Sequence, residues 1–263
     1  MPAVTDLTDL RSLTDAARAA PSLDIQLDAD AEAALNASLD RTGLLLLGEM
    51  HGVRQTPRII AALVELLDIE TVALEWPEQL TPTINSYRTS GDLDDHDLLW
   101  LGDGRLTTGH LALLRNLADR DPAVGWLAFD SWTMPPEVPG ESQWTARDHA
   151  MARRILDQYE PHRRTLVMAG SAHTPLARTD NGVPMGDWLS RARPGLASIE
   201  VNYGDGTLFN FDTIPLRTSR GKPADFRIRM DEGRPVLDHP GPVEADVPYR
   251  PDLFTLGEPP KRY

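Results

Sequence analysis

Two short apolar runs in this chain each lead into the pattern Gly-x-x-His. Residues 44–47 are four leucines followed by Gly48-Glu49-Met50-His51, and residues 166–169 are followed by Gly170-Ser171-Ala172-His173. An apolar run of this length before glycine is typical of a buried strand that ends in a loop. In parallel α/β sheets, ligands bind just beyond the carboxyl ends of the strands. The repeated pattern therefore predicts two histidines that face one pocket, as in an enzyme.

The composition is consistent with a folded domain and excludes several kinds of site. The 263 residues are 41% hydrophobic, which is enough for a packed core in one large domain or in one domain with a small appendage. A net charge of −14 argues against a surface for nucleic acid or anionic lipid. The chain has no cysteine, which rules out disulfides, thiolate metal sites and cysteine nucleophiles.

The chain carries no recognisable targeting signal. The first 20 residues contain Asp6, Asp9 and Asp15 and no apolar run, so they do not resemble a secretory signal. No stretch approaches the roughly 18 apolar residues of a membrane span. We therefore expect a cytoplasmic protein with a small-molecule or peptide substrate and neither a nucleic-acid nor a membrane partner. A homodimer stays open as an alternative.

Apolar strands alternate with amphipathic helices along the chain, and this order predicts an α/β fold. Strands are predicted at 43–48, 71–75, 124–130, 165–170 and 196–203, and helices at 58–67, 110–118, 145–159 and 186–192. A strand, a helix and a second strand within about 30 residues form a βαβ unit, which makes the strands parallel. We expect a mostly parallel central sheet flanked by helices, with a C-terminal hairpin and an extended tail.

The same patterns divide the chain into three segments. Residues 1–40 are predicted to be a helical segment, residues 41–214 the catalytic domain, and the proline-rich residues 215–263 a C-terminal extension. One hairpin is predicted between 196–203 and 207–211 across Gly204-Asp205-Gly206. A second is predicted around Glu232-Gly233.

The first candidate site follows the four leucines. The glycines at 48 and 52 let the backbone turn sharply and approach a ligand. Glu49 and His51 alternate as in an extended segment, so both side chains are expected to point the same way. A carboxylate beside an imidazole is either a general base with its orienting group or a pair of metal ligands. The structural alternative is a buried histidine bonded to a neighbouring loop.

Other charged residues are predicted at the same edge of the sheet. Glu75 ends the second apolar strand and needs a partner if it is buried. Arg147 and Asp148 open a predicted helix, where Arg147 can bind an oxyanion or fix a glutamate. Asp148 either caps that helix together with Thr145 or contacts the substrate. His173 matches His51.

A substrate-binding wall is predicted from residues near these strand ends. Asp130 ends the third strand and is expected to face the same rim. Trp76, Trp132 and Trp144 are candidates for an aromatic wall, with core packing as the alternative. Gly102-Asp103-Gly104 is not a phosphate loop, because no Lys-Ser/Thr follows it.

Together these motifs resemble those of the erythromycin esterase and ChaN-like superfamily, which includes the Tiki proteases. The resemblance spans about residues 40–212 and is carried by Gly48-Glu49-Met50-His51-Gly52, Glu75, residues 147–152, His173, Gly182-Val183-Pro184, residues 183–189 and residues 204–209. It implies a sheet built from two related βα halves with the site between the strand ends.

The resemblance to the esterases also implies catalytic roles. His51 would be the general base that activates a water for attack on an ester. Glu49, Glu75 and His173 would orient that water and stabilise charge. Arg147 would stabilise the oxyanion.

Cofactor use differs among the members that the chain resembles. Tiki-type members use similar Glu and His residues with a divalent metal, and ChaN-like members bind haem. Glu49, His51, Glu75 and His173 form a mixed N/O set compatible with Zn or Mn. No His-Glu-x-x-His is present, and the esterase motifs match better, so we favour a metal-free site and assign no metal ligand.

The leading expectation is a hydrolase of an ester, lactone or amide. An acyl-transfer or cyclisation enzyme would share the same tetrahedral intermediate. A ChaN-like haem-binding protein, a Tiki-like metal-dependent protease and a scaffold protein are the alternatives. Residues 77–144 are shorter than the matching stretch of the macrolide esterases, and the chain has no lipobox cysteine of the kind that ChaN-like lipoproteins carry.

Overall fold

A computed structural model describes residues 10–20, 22–94, 96–100, 102–136, 142–217, 223 and 225–246. The first half contains α1 (Leu10–Ala19), β1 (Gln26–Leu27), α2 (Ala29–Thr42), β2 (Leu44–Glu49), α3 (Thr56–Leu66), β3 (Thr71–Pro77), α4 (Thr81–Ser90), α5 (Thr108–Ala118) and β4 (Gly125–Asp130). Short 3-10 helices lie at Glu78–Leu80 and Asp97–Trp100. The second half contains α6 (Gln143–Gln158), β5 (Thr165–Gly170), α7 (Met185–Ala192), β6 (Ala197–Tyr203), β7 (Gly206–Asn210), β8 (Asp212–Leu216), β9 (Arg227–Asp231) and β10 (Arg234–His239).

Eight strands form one central sheet in the order β1-β9-β10-β6-β2-β5-β3-β4. The pairings within it are parallel, except for the antiparallel pair of β9 and β10. Helices flank the sheet, which confirms the predicted α/β class. Among the described residues, no helix combines the length and the apolar character needed to cross a membrane.

The strand that carries the second Gly-x-x-His lies between the two strands of the predicted βαβ unit. β5 pairs with β2 on one side and with β3 on the other, so that Thr165 is opposite both Leu44 and Thr71. The helix α3 therefore connects two parallel strands that are not neighbours. Because β5 fills the gap, His173 follows a strand flanked by the ones that carry Glu49 and Glu75.

The four leucines of β2 are completely buried because both faces of the sheet are covered. Leu45 and Leu47 belong to a core cluster that also includes residues of α3 and α5. Leu44 and Leu46 belong to a second cluster with residues of α6 and α7. This burial on both faces explains why the run is continuously apolar instead of alternating.

The predicted hairpin between 196–203 and 207–211 is wrong. β7 pairs antiparallel with β8 in a separate two-stranded sheet, and Phe211 adopts a positive φ of 57° between the two strands. A Cβ atom at Gly204 would lie 2.0 Å from the carbonyl oxygen of Gly241, and one at Gly206 would lie 2.0 Å from that of Val243. The two glycines are therefore needed for contact with a distant backbone and not for a tight turn.

Part of the predicted C-terminal tail belongs to the central sheet. The hairpin around Glu232-Gly233 is confirmed as β9 and β10, and β10 also pairs in parallel with β6. The following segment returns to the loop after β2, where Val53 bridges Ala245 and the amide of Asp246 donates to the carbonyl of Gly52 at 2.7 Å. Residues 247–263 of the predicted tail lie outside the described residues.

Candidate active site

Charged side chains from four strand ends and one helix meet at the carboxyl edge of the sheet. β2, β3, β4, the loop after β5 and the first turns of α6 each contribute to this cluster. It brings together the predicted residues Glu49, His51, Glu75, Asp130, Arg147, Asp148 and His173. This is the edge at which ligands bind in parallel α/β sheets.

The first half of the cluster is the pair of Glu49 and His51. His51 Nδ1 lies 2.5 Å from Glu49 Oε1, and its Nε2 lies 3.6 Å from Glu75 Oε2. The His51 side chain is 20% exposed, whereas both glutamates are buried. Gly52 follows with φ 71°, and a Cβ there would lie 2.0 Å from the carbonyl oxygen of Phe209. The sharp turn after the histidine therefore requires glycine.

The second half is built around His173. Its Nδ1 lies 2.8 Å from Asp148 Oδ1, and its Nε2 lies 3.6 Å from Glu75 Oε1. Arg147 Nη1 is 3.2 Å from the same Nε2. Because a guanidinium group can only donate, Nε2 is the acceptor, and the imidazole proton is on Nδ1, where it is donated to Asp148. Trp144 stacks on the ring with a centroid separation of 4.4 Å.

The predicted roles of Thr145 and Asp148 are corrected by the structure. The N-cap of α6 is Ser142, whose side chain accepts from the amide of Thr145. Asp148 is completely buried and accepts from His173 and from the amide of Met185 at 2.7 Å. Burial raises the pKa of Asp148, and the hydrogen bond from His173 opposes that rise. Asp148 therefore orients His173 and does not cap the helix, and its contact with a substrate stays a prediction.

Glu75 lies between the two histidines. Its Oε2 accepts the amide of Gly170 at 2.8 Å, and its Oε1 accepts Arg147 Nη2 at 2.7 Å. Arg105 Nη1 lies 3.4 Å from the same Oε1. Burial alone would raise the pKa of Glu75, but the cationic side chains around it hold that pKa well below its usual range. Glu75 is thus a buried anion shared by both halves of the site.

Asp130 holds two arginines in place. Arg147 donates to it from Nε at 3.3 Å and from Nη2 at 2.7 Å, and Arg105 Nη1 donates at 2.6 Å. Asp130 thus contacts both arginines, and its predicted role at the substrate stays a prediction. The sequence analysis missed Arg105, which also donates to Asp103 at 2.8 Å. The only signal was the segment Gly102-Asp103-Gly104, which was tested as a phosphate loop alone.

The carboxylates next to His51 determine its charge at neutral pH. Burial lowers the pKa of His51, but the negative charges of Glu49 and Glu75 outweigh this and raise it to about 9. At neutral pH the resting site therefore holds an imidazolium ion between two carboxylates. At neutral pH, only the small fraction of molecules with a deprotonated His51 could use it as a base.

The three tryptophans predicted to form a wall occupy different positions. Trp76 is completely buried, donates to the carbonyl of Arg105 at 2.8 Å and packs edge-on against His110. It is a core residue behind the site, which is the alternative given for it in the sequence. Trp132 is exposed in the loop after β4, where its amide donates to Gln79 at 3.4 Å. Trp144 covers one face of His173.

The polar atoms of the cluster are bonded to one another. No three His, Asp or Glu side chains within the described ranges are placed to hold a metal ion. Arg147 donates to Glu75 Oε1 and lies 3.2 Å from His173 Nε2, two atoms that could otherwise bind a cation. Both imidazole Nε2 atoms lie 3.6 Å from an oxygen of Glu75.

Comparison with known proteins shows a shared fold. No family model matches the chain, and no curated protein matches it. A succinoglycan biosynthesis protein superposes with a TM-score of 0.56 at 11% identity, and a Bacillus cereus protein with a TM-score of 0.54 at 11% identity. In both cases 82% of each chain is covered. ChaN of Campylobacter jejuni, a haem-binding protein, gives a TM-score of 0.45 at 12% identity over 78% of this chain and 91% of its own. The chain thus has the α/β fold of the first two proteins.

Proposed function

We propose that this chain is a hydrolase that cleaves an ester, lactone or amide with a water activated at His51. The observation that carries the proposal is the array of Glu49, His51 and Glu75 beside two arginines. Within it, His51 is partly exposed and can meet a substrate, while both glutamates are buried. The motif resemblance to the erythromycin esterases supports the same reaction class.

His51 Nε2 is the atom that accepts the proton. Glu49 holds Nδ1, so the ring keeps its proton there and exposes Nε2 as the acceptor once His51 is deprotonated. As the water attacks the carbonyl carbon, its proton passes to Nε2. The imidazolium ion that forms is stabilised by the carboxylates of Glu49 and Glu75. Nε2 then returns the proton to the leaving oxygen or nitrogen.

The arginine pair supplies positive charge for the tetrahedral intermediate. Four bonds from Arg147 go to Glu75, Asp130 and His173, which leaves one of its five N–H groups, on Nη1, without an acceptor in the described part of the chain. That N–H is our candidate donor to the oxyanion. Because Asp130 holds the guanidinium in place, little reorganisation is needed during the reaction.

These groups supply a base and an oxyanion donor without a metal ion or haem, and we propose a metal-free reaction on a small molecule or a peptide. A hydroxyl or amine of the substrate in place of water would give acyl transfer or cyclisation through the same intermediate. Hydrolysis is the form that we propose, since the partly exposed His51 is accessible to water.

The test is turnover of three bond types by the purified full chain between pH 7 and 9.5. The probes are p-nitrophenyl butyrate, γ-butyrolactone and an alanine p-nitroanilide. We expect His51→Gln to lower kcat/KM by a factor of about 10² to 10⁴, the usual value of general base catalysis. His162→Gln is the matched control, because His162 is an exposed histidine paired with Glu160 outside the site. Wild-type turnover by His51→Gln, or no turnover of any probe by the folded wild-type chain, would contradict the proposal.

A further inference from the structure

Two buried hydroxyl groups lie on the side of Glu49 that does not contact His51. Thr56 is the first residue of α3, and Tyr203 is the last residue of β6. Thr56 Oγ1 is 3.4 Å from Glu49 Oε2 and 2.8 Å from the hydroxyl oxygen of Tyr203. Both residues are buried. They connect Glu49 to β6, the strand that pairs with β2 on the side away from β5.

The donors and acceptors in this group have only one consistent arrangement. A carboxylate oxygen only accepts, so Thr56 donates its single proton to Glu49. Tyr203 must then donate to Thr56, and its oxygen accepts from the backbone of Met50. Met50 is the residue between Glu49 and His51. The hydrogen bonds therefore form a closed ring that runs from Glu49 through Thr56 and Tyr203 to the backbone of Met50.

Tyr203 keeps its proton over the whole working range of pH. Burial raises the pKa of Tyr203 well above its usual value, and the negative charge of Glu49 raises it further. The phenol therefore remains a donor at pH values near 9, where His51 titrates. The ring of hydrogen bonds is intact in both protonation states of His51.

We propose that Thr56 and Tyr203 are positioning residues for proton transfer at His51, an inference that rests on the proposed hydrolysis. They hold Glu49 Oε2, so that Oε1 stays on His51 Nδ1 and the imidazole keeps Nε2 directed toward Glu75. Loss of the Thr56 hydroxyl leaves Glu49 Oε2, an oxygen of a buried carboxylate, without its donor, and loss of the Tyr203 hydroxyl leaves Thr56 Oγ1 without the donor that orients it. Glu49 then rotates more freely, and its charge acts more strongly on His51.

The test compares substitutions that remove one hydroxyl and keep the shape. In Tyr203→Phe and in Thr56→Val we expect kcat to fall about fivefold to tenfold, the value of one hydrogen bond, with KM unchanged. We expect the rising limb of the pH–rate profile to move up by about half a pH unit, since Glu49 loses its donor in Thr56→Val and the orientation of that donor in Tyr203→Phe. Thr56→Ser keeps the hydroxyl and should restore most of the rate. Tyr159→Phe is the matched control, because Tyr159 is buried and bonds Arg193 outside the site.

A second measurement keeps this inference separate from the proposed function. Titration of the His51 imidazole by NMR needs no substrate and should show a higher pKa in Tyr203→Phe than in the wild type. Unchanged kcat and an unchanged His51 pKa in folded Tyr203→Phe and Thr56→Val would show that the hydroxyls only support the fold, and the inference would be wrong. If the wild type hydrolyses no probe, the proposed function fails. The NMR titration then still decides whether the hydroxyls of Thr56 and Tyr203 position His51. If Tyr203→Phe does not fold, Thr56→Val decides both outcomes.

Discussion

The two Gly-x-x-His loops share one arrangement, but they give their histidines different chemistry. A carboxylate lies next to Nδ1 of each histidine. It belongs to Glu49 at His51 and to Asp148 at His173. In each loop Nε2 lies 3.6 Å from an oxygen of Glu75. The His51 side chain is 20% exposed, however, and that of His173 is 5% exposed.

The two loops differ in the other side chains that contact each imidazole ring. Arg147 Nη1 lies 3.2 Å from Nε2 of His173, and Trp144 covers one face of that ring. His51 has two carboxylates as its nearest charged groups, so it holds a proton to about pH 9. A repeated motif thus orients two histidines in the same way, and the residues packed around each one determine which of them can transfer a proton.

Removal of the anion that both histidines share should give the largest effect. Glu75→Gln leaves Arg147 and Arg105 with Asp130 as their shared buried counter-charge, and loss of one member of a buried ion pair costs about 3–5 kcal/mol of unfolding free energy. The pKa of His51 should fall, because one of the two carboxylates that raise it is gone. Urea unfolding and turnover of p-nitrophenyl butyrate measure both effects.

Glu78→Gln is the control for this substitution. Glu78 is a more exposed glutamate that pairs with Arg154 at 3.3 Å, and its loss should change the unfolding free energy by less than about 1 kcal/mol. Equal stability of the two variants would show that Glu75 is not the common counter-ion of the two halves.

The pH dependence of stability should separate the two histidines. The pKa of His51 rises from 6.5 to about 9 on folding, so the folded state binds its proton more tightly. Its contribution is fully present below pH 6.5 and is lost as the pH rises through 9, by at most about 3 kcal/mol. Urea unfolding at pH 6, 7, 8 and 9 measures this slope. The slope should disappear in His51→Gln and persist in His173→Gln; persistence in both would mean that another group is responsible.

Most strands could be predicted from the sequence because buried parallel strands are continuous apolar runs. The strand predicted at 43–48 is Leu44–Glu49, and the strand at 165–170 is Thr165–Gly170. The separation of β7 from β6 could not be predicted in this way. Gly206 of β7 forms a bridge with Val243, and no local pattern in the sequence indicates a contact over that distance along the chain.

The candidate site shows the same limit. The two histidine loops and Glu75 could be predicted, since each follows an apolar strand. Asp148 resembled a helix cap because its true partner, His173, lies 25 residues away in the chain. Arg105 could not be identified, because its role comes from a long-range contact with Glu75, and the contact of Tyr203 with Thr56 is equally long-range. Sequence patterns thus indicate which loops meet, while the hydrogen bonds between them depend on the tertiary structure.

The indole over His173 should have the smallest effect of the features that distinguish the two loops. Asp148 and Arg147 already fix the orientation of that ring, so Trp144→Leu should remove only the stacking contact, worth about 1 kcal/mol of unfolding free energy. We expect kcat to stay within about twofold of the wild type, which corresponds to less than 0.5 kcal/mol in the barrier. Urea unfolding and turnover of p-nitrophenyl butyrate again measure both quantities.

Trp188→Leu provides the matched control for this last substitution. Trp188 stacks on His149 with a centroid separation of 4.2 Å, a similar contact made away from the charged cluster. The two variants should lose similar stability and keep similar turnover. A loss of turnover confined to Trp144→Leu, with a raised KM, would show that the indole contacts the substrate as the sequence predicted. His173 would then lie in the substrate pocket itself, and the contrast between a reactive and a fixed histidine would no longer hold.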